Sequence, residues 1–116
     1  MAAHAAESAL SDDVEAQVLA RSVLARVAAA RGAAEEALAL AEEAVAIAAA
    51  TDGLVTHGDA LTELGVVLAQ LDRPADAEAR LAEARGLYRS KGARLLESKA
   101  QLLLDGLRLG AQRASL

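Results

Sequence analysis

LARVAAARGAAEEALALAEEAVAI, residues 24–47, returns forty positions later as LGVVLAQLDRPADAEARLAEARGL, residues 64–87. Leu24, Ala25, Ala28, Gly32, Ala37, Ala44 and Ile47 of the first stretch meet Leu64, Gly65, Leu68, Asp72, Ala77, Ala84 and Leu87 of the second. A third, partial copy begins at Ala100 and Leu104, forty positions after Ala60 and Leu64. An echo of this length predicts a stack of helix pairs, because one pair cannot bury its own apolar face. Such a stack offers a surface for binding rather than a reaction centre. The copies run over about 12–51 and 52–91, with the partial third over 92–111, in one domain spanning 1–116.

Spacing and punctuation predict an all-α chain of five long helices plus a short N-terminal one. Met1 to Leu10 reads as the short leading helix. Ser11, Asp12 and Asp13 then offer capping oxygens, with Glu15 placed as in a capping box. The helix they start runs to about Arg31, where Gly32 suits a left-handed closing residue. A second helix spans Ala33 to Ala50, its Glu35 and Glu36 favourable at the positive helix start. Thr51-Asp52-Gly53 breaks the chain, with Asp52 as the expected cap. A third helix reaches Leu71, and Pro74 opens the fourth, where its missing N–H costs nothing. Ser90-Lys91-Gly92 ends that helix, and the fifth runs from Arg94 to Leu109. Leu61, Leu64, Gly65, Leu68 and Leu71 share one helical stripe. Ala37, Ala41, Ala44, Ile47 and Ala48 form another, repeated by Ala77, Leu81, Ala84, Leu87 and Tyr88. Short connections favour antiparallel neighbours.

Composition narrows the class further. Apolar residues make up 54% of the 116 positions and aromatics only 1%, so the core must be built from alanine, leucine and valine. Helices faced with alanine can approach closely. A net charge of −5, with acids and bases interleaved, leaves no basic face for nucleic acid. The charge-free stretch Ala44 to Thr51 is too short to span a bilayer. Met1 to Leu10 lacks the basic start and long apolar middle of a secretion signal, so a cytoplasmic protein is expected. The absence of cysteine fits that reducing setting. Ten arginines among the 12 basic residues, with abundant alanine and glycine, match the coding bias of a high-GC bacterial genome.

The register of large and small residues resembles the tetratricopeptide repeat. In that family a large and a small residue adjoin in the first helix, and two alanines seven apart flank a large residue in the second. Leu24-Ala25 with Ala37 and Ala44 supplies one copy, and Leu64-Gly65 with Ala77, Leu81 and Ala84 the other. Ala41 stands where the large residue belongs, the usual aromatics and closing proline are missing, and the period exceeds the family's usual ~34 residues. The longer period is similar to the C-terminal helical-repeat regions of large bacterial ATP-binding transcriptional regulators and nucleotidyl-cyclase-like proteins. Residues 13–19, 44–52, 58–61, 72–77 and 87–92 carry that likeness, which covers roughly Ser11 to Leu107. The resemblance implies an α-solenoid with no catalytic part.

The resemblance also implies a concave groove lined by the first helix of each copy. By register its residues are Leu19, Ser22, Arg26, Asp59, Thr62, Glu63, Val66, Lys99, Leu102 and Leu103. Some family members clamp a peptide carboxylate with basic and amide side chains at five such places, here Ser22, Arg26, Glu63, Lys99 and Leu103. Only Arg26 and Lys99 could hold an anion there, and Glu63 opposes it, so the clamp is not expected.

No residue pattern calls for a cofactor, a metal or catalysis. His4 and His57 have no partner ligands at metal-site spacing. Adjacent helical residues diverge by about 100°, so Glu35-Glu36 and Glu42-Glu43 cannot converge on a substrate. Gly53 and Gly58 lack the following Gly-Lys and preceding strand of a phosphate loop, and the serines have no positioned base. The last helix carries a leucine surplus instead. Leu95, Leu96, Leu102, Leu103, Leu104, Leu107 and Leu109 spread over roughly 220° of its wheel. Glu97, Ser98, Gln101, Asp105 and Arg108 hold the rest. Leu95, Leu96, Leu103, Leu104 and Leu107 are therefore the expected self-association residues of a homodimer. The expected function is a non-catalytic protein–protein interaction module, with protein or peptide partners, no nucleic acid and no membrane. The alternatives are a peptide or small-ligand sensor domain of a bacterial regulator, and a designed or idealised helical protein with no natural partner.

Overall fold

Alanine and leucine at helical spacing, interrupted only at glycine, proline and short polar breaks, give five α-helices and no strand among the described residues. They are α1 (Ala2–Ala30), α2 (Ala34–Ala49), α3 (Leu54–Gln70), α4 (Pro74–Lys91) and α5 (Arg94–Ser115) in this computed structural model. The structure describes residues 2–115, with side chains described over residues 14–112.

The expected short leading helix is not a separate element. α1 runs unbroken from Ala2 through Ser11, Asp12 and Asp13, and Met1 lies outside the described residues. Serine and aspartate lower helix propensity only mildly, and no glycine or proline stands between Ala2 and Ala30 to enforce a break. α5 likewise continues past Leu109 to Ser115, since Gly110 alone does not stop it.

Three of the four connections share one device. Gly32 and Gly92 adopt φ 78°, and Asp72 adopts φ 61°. At each, the next residue's N–H reaches back to a carbonyl five residues earlier. Ala33 donates to Ala28, Arg73 to Leu68 and Ala93 to Tyr88, all at 2.9 Å. These are Schellman closures, which satisfy carbonyls that the helix end would leave bare. The α2–α3 connection differs. Thr51 Oγ1 donates to the Ala48 carbonyl at 2.8 Å and accepts the Gly53 N–H at 3.3 Å. Asp52 is therefore not the cap of α3; Gly53 holds that position without a side-chain cap bond, the neighbouring threonine hydroxyl having taken the local backbone donor. Pro74 sits in the first turn of α4, as its position predicts.

Each helix packs against the next in sequence, and α1 also lies against α3. The assembly is a thin layer of helix pairs measuring 64 × 34 × 16 Å. Ala25, Ala28, Ala37, Ala41, Leu64, Val67, Leu68 and Ala77 form its central core. Val18, Ala44, Ala48 and Ala60 form a second cluster, and Leu61, Ala84, Tyr88 and Ala100 a third. Two glycines bring α3 and α4 together. A Cβ on Gly58 would stand 2.7 Å from Tyr88 Cε1, and one on Gly65 would stand 2.8 Å from Leu81 Cγ. Both distances are closer than carbon atoms tolerate, so Tyr88 and Leu81 occupy notches that only glycine leaves open.

Candidate functional site

The stripe of small residues that α2 and α4 turn toward the core leaves α1, α3 and α5 to line one face of the layer. Between these three helices lies an open groove of about 610 Å³. Leu19 and Val23 of α1 form one apolar wall, 65% and 52% exposed, and Leu96 and Leu103 of α5 form the opposite one. The floor is polar and comes from α3, with Asp59, Thr62 and Glu63 above Val55. Buried Ser22 and Val18 complete the α1 side.

A hydrogen-bonded chain stiffens this floor. The Tyr88 hydroxyl, rising from α4, donates to Asp59 Oδ1 at 2.6 Å, and Thr62 Oγ1 donates to the Gly58 carbonyl at 2.8 Å. The two hydroxyl oxygens stand 3.2 Å apart. Burial pushes the Tyr88 phenol well above the ordinary tyrosine range, and its bond to the Asp59 carboxylate pushes in the same direction. Tyr88 is thus a fixed neutral donor rather than an acid. Arg26 and Glu63 span α1 and α3 as a two-point pair, with Arg26 Nε on Glu63 Oε2 and Arg26 Nη2 on Oε1 at 2.9 Å. That geometry consumes both charges. Lys99 is then the groove cation outside any ion pair among the described residues.

Eight of the ten groove residues taken by register stand together around this space: Leu19, Ser22, Arg26, Asp59, Thr62, Glu63, Lys99 and Leu103. Val66 is half-buried on α3 outside the lining, and Leu102 points away at 70% exposure. Tyr88 escaped the register because it belongs to the second helix of its pair. The signal that could have found it was the glycine at position 58, small where Val18 stands forty residues earlier. Glu15 and Val23 were also missed, although each lies three or four positions from a residue the register includes.

The five leucines expected on one self-association face do not share it. Leu104 is fully buried, Leu96 packs with Leu61 and Tyr88, and Leu107 packs against the central core. Their wheel positions face α4, which covers Leu104 fully and Leu96 and Leu107 in part. Leu103 borders the groove at 39% exposure, and Leu95 is 82% exposed. The leucines left outside are Leu95, Leu102 and Leu109, seven positions apart and 57% or more exposed.

Elsewhere the layer shows less. A depression of about 390 Å³ between α2, α3 and α4 is rimmed by Arg73 and Arg80, which pair with Asp76 and Glu83. Among the described residues no three His, Asp or Glu side chains converge as metal ligands. His57 is half-buried near the start of α3, while the side chain of His4 lies outside the described residues. No described helix is long and apolar enough to cross a membrane. No family model, curated protein or solved structure matches the chain.

Proposed function

We propose that the protein is a non-catalytic interaction module of helical-repeat, tetratricopeptide-like type, which receives an amphipathic segment of another protein in the groove between α1, α3 and α5. The groove's construction carries this reading: two facing apolar walls, Leu19–Val23 and Leu96–Leu103, over a floor whose polar groups already have partners. An entering segment buries its apolar face on the walls and meets no unsatisfied group on the floor. Each wall residue taken fully from water contributes about 1.5–3 kcal/mol, enough in sum for the modest affinity of a helix or extended segment in a groove. The neutral, clamped Tyr88 and the paired Arg26 suit holding rather than proton transfer. A bacterial cytoplasmic setting belongs to the same reading, supported by the residue usage and the lack of cysteine.

Selection from a displayed random-peptide library tests it. The protein should enrich amphipathic sequences, and Leu19→Glu and Leu103→Glu should each weaken binding of the enriched peptides at least tenfold without lowering the melting temperature. Failure to enrich any sequence, or equal binding by both variants, would overturn the proposal.

A further inference from the structure

Each polar group on the groove floor has a partner, but the protons in those bonds are all spent inside the protein. Thr62 gives its proton to the Gly58 carbonyl at 2.8 Å, and Tyr88 gives its own to Asp59 Oδ1 at 2.6 Å. A hydroxyl has one proton, so none remains for the 3.2 Å contact between the Thr62 and Tyr88 oxygens. Two acceptors face each other there. The Asp59 carboxylate can accept about four hydrogen bonds and donates none. Among the described residues it accepts only the one from Tyr88. Three neighbouring groups on the groove lining therefore offer lone pairs and no hydrogen.

The charges of the groove point the same way. Arg26 and Glu63 neutralise each other. Glu15 and Asp59 are in no ion pair among the described residues, and only Lys99 stands against them. Lys99 is level with Asp59 in the forty-residue register, yet the two are not paired. A further group comes from α1. Ser22 stands forty positions before Thr62, is 5% exposed and borders the groove. Unlike Thr62, it makes no side-chain hydrogen bond among the described residues. A hydroxyl buried this deeply is ordinarily bonded, so its partner comes from the groove. An occupant that covers the floor also takes the Asp59 carboxylate from water. That is costly unless the occupant brings a cation or donors of its own.

We infer, on the reading of the groove as a peptide site, that its occupant is a basic amphipathic segment. A lysine or arginine set between apolar residues seats its cation against Asp59, Thr62 and Tyr88, with Ser22 facing it from α1. Ammonium and guanidinium groups carry donors and no acceptor, the complement of this floor. The preference is the reverse of a carboxylate clamp.

Parallel selections from a displayed random-peptide library, on the wild-type protein and on Asp59→Asn, test the inference. The wild-type protein should enrich amphipathic sequences with a lysine or arginine fixed between apolar positions. Asp59→Asn keeps an acceptor for Tyr88 but turns an amide donor into the seat, and should enrich amphipathic sequences without a fixed cation. Glutamine in place of the fixed cation should weaken an enriched peptide at least about tenfold on the wild-type protein. That comparison requires no variant of the protein to fold. The same exchange should matter less than about twofold on Asp59→Asn, and Glu15→Gln should weaken the original peptide less than about threefold. Amphipathic sequences with no fixed cation would overturn the inference and leave the groove reading standing, whereas no enrichment at all would overturn both. A cation that Asp59→Asn does not dislodge, or that depends as strongly on Glu15, would also overturn it, since the charge would then be attracted generally rather than seated on the floor.

Discussion

The two helix pairs of this layer solve one packing problem in opposite ways. In α3–α4 the first helix supplies the holes, Gly58 and Gly65, and the second supplies the knobs, Tyr88 and Leu81. Forty positions earlier, in α1–α2, the same sites read Val18 and Ala25 against Ala48 and Ala41. The first helix gains less than the second loses, so the large knobs have gone and the facing side chains of α1–α2 are smaller in sum. The register is thus kept with a lighter contact rather than by matching side chains. The α3–α4 contact holds large buried side chains locked in notches, whereas α1–α2 is an alanine contact that leans on α3 through Leu64 and Ala60.

Removing a knob should break this comparison most severely. Tyr88→Ala empties the Gly58 notch and severs the bond to Asp59, and should cost about 3–5 kcal/mol in urea unfolding. Its counterpart, Ala48→Gly, should cost about 1 kcal/mol. Filling a hole comes next. Gly65→Ala drives a methyl into Leu81 and should lose about 1–2 kcal/mol despite alanine's better helix propensity. Gly86→Ala, on the open face of α4 with nothing within 4 Å of the new Cβ, should gain up to about 1 kcal/mol. If both glycine variants moved stability the same way, the notch account of α3–α4 would fail.

Alkaline pH probes the same knob. The folded-state pKa of Tyr88 lies above its ordinary value of 10.0. The stability this provides is therefore fully present below about pH 10 and is lost as pH rises above that value toward the folded pKa. Thermal melts should show a steeper alkaline fall for the wild-type protein than for Tyr88→Phe, which has no proton to lose. Rebuilding the second pair inside the first sharpens the comparison at smaller scale. Ala41→Leu alone overpacks against Ala25, and Ala25→Gly alone loosens α1. Combined, they recreate the Gly65–Leu81 contact and should show a favourable coupling of about 1 kcal/mol in a double-mutant cycle. Arg26→Ala should move stability least, by no more than about 0.5 kcal/mol, because the pair with Glu63 lies open to solvent on its Arg26 side.

The helices and most of their ends were legible in the sequence because glycine, proline and the apolar period act locally. Gly32, Gly92 and Pro74 each do what their backbone chemistry favours. The 40-residue register carried eight of the groove positions for the same reason, since it needs only helical spacing. What depended on neighbours was missed. Gly32 was expected to take the left-handed turn, but nothing marked its counterpart Asp72 for the same conformation, which aspartate reaches at modest cost. The unbroken α1 was misread because capping residues permit a helix start without compelling one. The self-association set on α5 was chosen by abundance around a wheel, and only the position of α4 reveals that Leu104 is spent inside. The Tyr88–Asp59 bond joins residues 29 positions apart, beyond any local pattern.

The notch at Gly58 has an optical consequence. The chain contains no tryptophan and no phenylalanine, and Tyr88 is its single tyrosine. Its near-ultraviolet dichroism and intrinsic fluorescence therefore issue from one ring, wedged between α3 and α4, while far-ultraviolet dichroism averages over all five helices. Followed together during refolding, the two signals separate closure of the second pair from formation of the rest. If the alanine-faced first pair assembles only on a completed second one, the aromatic signal will lead the helical signal or coincide with it, and will never lag behind.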